Sequence, residues 1–373
     1  MRLSRNSNCP IVQALNVEKL AESSESSTIT QQLFAFLFPG SPAVNALLAT
    51  LYISGPPNFL LALCPPNIDP SSLSVMVAFA VGGLMGDTLF HLLPEIFLGE
   101  DSPEHVRFVM VDPRKNLLLG LAIMVGFMTF VAMDKGLRIA TGGEGHDHAH
   151  GHSHATAEDE LATTTGAEIK DGPKTRQRGK KTAANGKAVV EVPKEDKSSS
   201  IKLAAYLNLI ADFTHNITDG LAMSASFYTS PTIGATTTMA VFFHEIPHEV
   251  GDFALLIQSG FSKRAAMGAQ FITAVGALLG TCIGIAVQEY GGSSASVNAA
   301  GGNAVGILGT SLQYGDLLLP FTAGTFLYVG TVAVIPEMLE VDKSASKFAQ
   351  LRTMATQFLA VAAGAGIMLA ISW

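Results

Sequence analysis

The run His244-Glu245-Ile246-Pro247-His248-Glu249-Val250-Gly251-Asp252 lies inside an apolar stretch, residues 232–257. An α-helix needs about 20 apolar residues to cross a bilayer, and this stretch is long enough. Yet it carries two histidines and three carboxylates. A charged side chain at the bilayer centre costs about 2.5–3.5 kcal/mol on insertion scales, so three acids would cost on the order of 8–10 kcal/mol unless neutralised. A polar ligand or a polar path is therefore the first hypothesis. His244, His248 and Asp252 recur at i, i+4, i+8 and form one helical stripe. Glu245 and Glu249 form a second stripe, rotated by about 100°. Two adjacent stripes can hold more than one cation. Pro247 sits inside the pattern and predicts a kink with a freed carbonyl.

The rest of the chain agrees with a membrane setting. Of 373 residues, 48% are hydrophobic and only 14% charged, which predicts an all-α, polytopic membrane protein in a lipid bilayer. A formal charge of −8 argues against nucleic acid as a partner. Cys9, Cys64 and Cys282 are far apart and form no CxxC pair, so neither a disulfide framework nor a cysteine zinc site is expected. The first 30 residues lack an apolar core, so a cleaved signal peptide is not expected.

Residues 1–40 are polar and Ser-rich and predict a disordered tail, with a short amphipathic piece near residues 33–38. Eight apolar segments follow, at 43–63, 73–98, 117–137, 201–228, 232–257, 265–287, 317–338 and 354–373. The first contains Ser54-Gly55-Pro56-Pro57-Asn58 and is expected to be broken or kinked. The organisation is thus a tail, 1–40; helices 1–3, 41–138; a hydrophilic loop, 139–200; and helices 4–8, 201–373. The loop opens with His146, His148, His150, His152 and His154, half of the chain's ten histidines. Its composition predicts disorder, and its alternating histidines predict loose zinc binding or sensing, with a solvated linker as the alternative. Lys135, Arg138, Lys194, Lys197 and Lys202 flank it, Lys263 and Arg264 follow segment five, and Lys343, Lys347 and Arg352 follow segment seven. In an eight-span arrangement these all fall on one side, which is then cytosolic, although Arg107, Arg114 and Lys115 fall on the other.

Segment four repeats the anomaly of segment five. Asn208, Asp212, His215, Asn216 and Asp219 share one face of an apolar helix. Segment two holds Asp87, His91 and Glu95 at i, i+4, i+8; segment six contributes Gln270 and segment seven Glu337. Intramembrane ionisable residues face a bundle interior or a water-filled cavity, so facing stripes would line such a cavity. Imidazole and carboxylate without thiolate suit zinc, iron or manganese. Transport needs ligands that bind and release, which fits several moderate sites better than one closed cage.

Two motifs carry a family resemblance. His215-Asn216-Ile217-Thr218-Asp219-Gly220 and the HExPHExGD run from His244 to Asp252 resemble the paired signatures of the ZIP (Zrt/Irt-like) metal transporters. The second motif resembles the form in the subfamily that includes the family's endoplasmic reticulum and Golgi member. The resemblance implies eight helices with a binuclear metal centre between the fourth and fifth. It places His215, Asp219, His244 and His248 at one metal. Asn216 and Glu245, with the shared Asp219 and His248, fall at the other, with Gln270 nearby. Glu249 belongs to the same ligand-rich motif. Asp87 and His91, with Asp212 and Asp252, would lie on the transport path. It further implies movement of a divalent metal, zinc first, toward the cytosol. The membrane would be the endoplasmic reticulum or Golgi, with the plasma membrane as alternative; a homodimer is one assembly open to such a chain. No reaction is catalysed on this reading.

Other readings use the same residues. His244–His248 also spells H-E-x-x-H, in which two histidines bind zinc and Glu245 is the base of an intramembrane metalloprotease. Pro247 distorts the helix such a site needs. The segment-four stripe could be helix-packing hydrogen bonds, Asp87, His91 and Glu95 a structural pairing, and Glu337 an interfacial side chain.

Overall fold

The structure is a computed structural model that describes residues 10–23, 28–65, 70–99, 106, 111–140, 197–292, 306–339 and 345–372. Among these residues every regular element is a helix. The His-rich stretch His146–His154 lies outside the described residues.

The central unit is a helical hairpin. Helix α7 (Lys197–Thr229) and helix α8 (Pro231–Gln258) are separated by Ser230 alone. The residue that breaks the chain also starts the next helix. The Ser230 hydroxyl accepts from the Thr232 and Ile233 amides at 3.2 and 3.4 Å, and Pro231 takes the first helical position, where its missing N–H costs nothing. At the far end of α8, Gly260 takes a left-handed conformation (φ +90°), and the Phe261 amide reaches back to the Leu256 carbonyl at 3.0 Å. Helix α9 (Lys263–Thr273) then starts from a Ser262 cap, and α10 (Val275–Gly291) continues after a break at Ala274. Segment six is thus two helices rather than one.

Around the hairpin stand α3 (Pro42–Leu60), α4 (Pro70–Asp87), α5 (Leu93–Leu98), α6 (Pro113–Ala140), α11 (Leu318–Tyr328), α12 (Ile335–Leu339) and α13 (Lys347–Ser372). Helix α3 runs through Pro56 and Pro57, so the expected break does not occur there. Instead α4 passes into α5 through a π turn, Thr88–Leu92, just before Pro94, and α11 leads toward α12 through a second, Val329–Ala333, before Pro336. A proline frees the carbonyl four residues earlier, and a π turn absorbs the misfit. Four stretches are long and apolar enough to cross a membrane: Ser72–Leu98, Pro113–Ile139, Lys263–Gly291 and Lys347–Ile371.

Glycine seams hold the rods together. Helix α7 packs most closely on α10, α4 on α13, and α6 on α11. A Cβ on Gly280 would lie 1.9 Å from the Ile217 carbonyl, one on Gly82 2.1 Å from that of Val361, and one on Gly126 2.0 Å from that of Phe321. Lipid supplies no hydrophobic drive between helices, so association rests on such close backbone approach.

Part of the expected tail is described, including the amphipathic piece near residues 33–38. Residues Pro10–Ser23 (α1) and Thr28–Leu37 (α2) are helical. Phe38 is buried, its ring 4.9 Å from that of Phe227 and 5.7 Å from that of Tyr52, and the Tyr52 hydroxyl donates to the Leu37 carbonyl at 3.3 Å.

We predict that Gly280→Val lowers the melting temperature of the detergent-solubilised protein, since overpacking costs at least about 1–3 kcal/mol. Gly366→Ala in α13 meets nothing within 4 Å and should leave it unchanged or higher. Equal melting of the two variants would contradict the α7–α10 seam.

Candidate metal centre

The one-residue turn fixes which residues of α7 and α8 meet. Side chains equally far from Ser230 along the two helices lie at the same depth. His215 and His244 stand fifteen and fourteen residues away, Asp212 and His248 eighteen each, and Asn208 and Asp252 twenty-two each. All three pairs are in contact or nearly so. His215 Nε2 lies 3.3 Å from His244 Nε2. His248 Nδ1 lies 3.9 Å from Asp212 Oδ1. The Asn208 amide donates to Asp252 Oδ1 at 3.0 Å.

The first group comprises His215, Asp219, His244 and Glu245, all buried, each offering one ligand atom within 4.8 Å of the others. Its edges are close to uniform. His215 Nε2 is 3.5 Å from Asp219 Oδ2 and 3.7 Å from Glu245 Oε1. His244 Nε2 is 3.6 Å from Asp219 Oδ2 and 3.2 Å from Glu245 Oε1. Zinc–nitrogen and zinc–oxygen bonds of about 2.0–2.2 Å in a tetrahedron place neighbouring ligand atoms about 3.3–3.6 Å apart. Five of the six distances among the four atoms, at 3.2–3.7 Å, are thus of the size that zinc's ligand shell has. Asp219 Oδ1 and Oδ2, Glu245 Oε1 and His244 Nδ1 have no hydrogen-bond partner. Buried carboxylate oxygens left in this state call for a cation or protons.

The second group comprises Asp212, His248 and Asp252. His248 Nδ1 is 3.0 Å from Asp252 Oδ2, and its side chain is 28% exposed. The resemblance put His248 with His215, Asp219 and His244. Here its ring stacks on that of His215, with centroids 4.9 Å apart, while its Nδ1 turns to the acids.

The remaining candidates fall elsewhere. Asn216 donates to the carbonyl and carboxylate of Asp212, at 3.1 and 3.0 Å, within its own helix. Glu249 turns to α3, where Asn58 Nδ2 donates to its Oε1 at 2.9 Å. Gln270, fully buried, donates to the Glu249 carbonyl at 3.3 Å and ties α9 to α8. Asp87 and His91 are buried at the first π turn, 3.7 Å apart, outside both groups. The side chain of Glu337 lies outside those described.

A cavity of about 100 Å³ reaches both groups. That is room enough for water. His215, His244, His248, Asp212 and Asp252 line it, and so do Asp134 and Tyr328. Neither of the last two was singled out from sequence, although an acid inside segment three was a signal. Asn58 was missed as a site neighbour for a similar reason, being read only as part of a break.

The ZIP zinc transporter profile matches residues 41–372. The chain belongs to the ZIP zinc transporter family. It is 38% identical to the zinc transporter SLC39A7 of Mus musculus over 79% of this chain and 63% of that protein. It is 33% identical to zinc transporter YKE4 of Saccharomyces cerevisiae, over 89% and 81%, and 35% identical to zinc transporter zipt-7.1 of Caenorhabditis briggsae, over 88% and 79%. The chain thus spans under two thirds of the mouse relative's length. In this ZIP protein the H-E-x-x-H reading finds no support. A metalloprotease needs both histidines on one zinc, and here His244 and His248 belong to different groups.

The Asn58–Glu249 contact of this ZIP protein makes a separate prediction. Asn58→Leu should destabilise by about 1–3 kcal/mol, because Glu249 loses its donor while buried. Adding Glu249→Leu should recover much of that loss. Thermal unfolding of the two variants in detergent checks it, and a double variant no better than the single one would refute it.

Proposed function

We propose that this ZIP protein carries zinc across a membrane into the cytosol, through the four-ligand group between α7 and α8. The observation that carries this reading is the buried set of His215, Asp219, His244 and Glu245, with edges of 3.2–3.7 Å to the two imidazole nitrogens, whose histidines face a cavity. Nitrogen and oxygen donors without thiolate also accept iron or manganese, but four donors at this spacing favour zinc. The family membership and the three zinc-transporter relatives point the same way.

The direction follows from where the cavity opens. Its residues come from the C-terminal half of α6, the N-terminal half of α7 and the C-terminal half of α8. Those ends face the long loop and the Lys263–Arg264 turn, the side that the basic residues mark as cytosolic. On the other side of the group, Phe38, Ile53, Met223, Phe227 and Val241 are buried in one apolar cluster. The lining thus supports access to the group from the cytosolic side. On this reading the rods cross the membrane eight times: α3, α4 with α5, α6, α7, α8, α9 with α10, α11 with α12, and α13. Helices α7 and α8 reach that role despite their polar residues because those residues face the interior. The HExPHExGD motif favours an endoplasmic reticulum or Golgi membrane.

Zinc flux into vesicles bearing the full-length protein tests the proposal. His215→Ala and His244→Ala should each reduce flux to background while the protein still inserts. Undiminished flux in both would overturn it.

A further inference from the structure

We infer that helix α2 and the turn Gly306–Leu312 are anchors in the membrane interface, with Phe36 and Leu308 entering the leaflet on the side away from the Lys263–Arg264 turn. What they bind is phospholipid, at the level where acyl chains meet headgroups. The inference goes beyond the transport reading and takes from it only that the rods cross a bilayer.

Both elements stand at the end of the molecule that carries Ser230. Phe38, just after α2, packs its ring 4.9 Å from that of Phe227, three residues before Ser230. The next residue, Tyr228, donates its hydroxyl to Glu289 near the end of α10. The end of α10 is tied in turn to the start of α11. The Gly315 amide donates to the Gly292 carbonyl at 3.0 Å, and Gln288 Nε2 donates to the Gly315 carbonyl at 3.1 Å. Lys263 marks the opposite end, where its ammonium donates to the Ala62 and Cys64 carbonyls just past α3.

Each element presents an apolar side chain that the bundle does not bury. In α2, Phe34 and Leu37 pack with Phe38 against the core, while Leu33 is exposed and Phe36 is 80% exposed. Leu308 is also 80% exposed. It is held in a left-handed conformation (φ +50°, ψ +32°) that leucine rarely adopts. Two backbone bonds close this turn, from the Gly306 amide to the Thr310 carbonyl and from the Ile307 amide to the Leu312 carbonyl, both at 2.8 Å, and Leu312 is buried. The turn thus keeps Leu308 outward against its own backbone preference.

Lipid is the partner that fits these surfaces. Neither 28–37 nor 306–314 contains a charged residue, and the uncharged run around α2 continues through all of α3 to residue 68. Helix α3 itself exposes Val44 and Leu51. Tyr290, exposed, ends the apolar stretch Lys263–Gly291, and Tyr314 is exposed beside the Leu308 turn. Tyrosines collect where a bilayer meets water. An interfacial helix buries its apolar face about 5–10 Å into that boundary. Anchoring α2 there would hold the hairpin turn at the same level. Phe227 is wedged between Phe38 and α8, where a Cβ on Gly234 would lie 2.4 Å from its ring.

The experiment uses the full-length protein in phosphatidylcholine vesicles. Trp373→Phe removes the chain's one tryptophan, and Phe36→Trp or Leu308→Trp is then added singly. Emission from each should be shifted to the blue. It should be lost when the lipid is brominated near the headgroup, more than when it is brominated near the chain end. Water-like emission that aqueous iodide quenches and brominated lipid does not, at either position, would overturn the anchors. Protection from both quenchers would mean that a second protein copy covers the surface, and would overturn the lipid assignment as well. Tyr314→Trp, an exchange between aromatic residues at an exposed position, repeats the test of the turn without altering Leu308. Zinc flux of Trp373→Phe in the same vesicles tests the transport reading separately. Lipid quenching without flux would leave the anchors standing, and flux without lipid quenching would leave transport standing.

Discussion

Two imidazole nitrogens from facing helices lie 3.3 Å apart between two carboxylates, buried inside the helix bundle. No part of that arrangement is stable in lipid by itself. Each acid is costly there, and each histidine offers a hydrogen bond or a lone pair, not a full counter-charge. The arrangement persists only because α7 and α8 are held at a fixed depth relative to each other. Ser230 sets that depth. Fourteen to fifteen residues at about 1.5 Å each carry His215 and His244 some 21–22 Å from the turn, well inside a slab about 30 Å thick. Moving the turn by one residue would rotate every facing pair by about 100° and dissolve both groups.

The glycine seams extend that constraint outward. Gly220, Gly276 and Gly280 let α7 and α10 touch backbone to backbone, so α7 is fixed from behind as well as by α8. A site with edges of 3.2–3.7 Å tolerates little drift in its walls. The close pairing of α4 with α13 and of α6 with α11 likewise fixes the cavity wall opposite the hairpin.

Much of this was legible in the sequence. The helical stripes of His215 and Asp219 and of His244 named the right faces, because a 3.6-residue period leaves little freedom. The membership of each group was less legible. The spacing put His244 and His248 on one stripe and invited a shared metal. A stripe, however, advances about 6 Å over four residues, nearly twice the edge of a zinc tetrahedron. Glu245 lies only about 1.5 Å along the axis from His244 and reaches the same centre. Counting residues outward from Ser230-Pro231 would have paired His248 with Asp212 in advance. Glu249 could not be placed that way. Its partner Asn58 sits on α3, and a single sequence carries no record of contacts between distant segments.

The two groups also share an electrostatic problem. Asp219 with Glu245, and Asp212 with Asp252, each supply two negative charges, the number that one divalent cation neutralises. On the proposed reading, zinc held by Asp219 and Glu245 would be charge-balanced by those two carboxylates, and the same hairpin repeats two carboxylates and an imidazole one turn farther from Ser230. Such a helix pair, with matching residues at successive depths, needs no flexible carrier side chain.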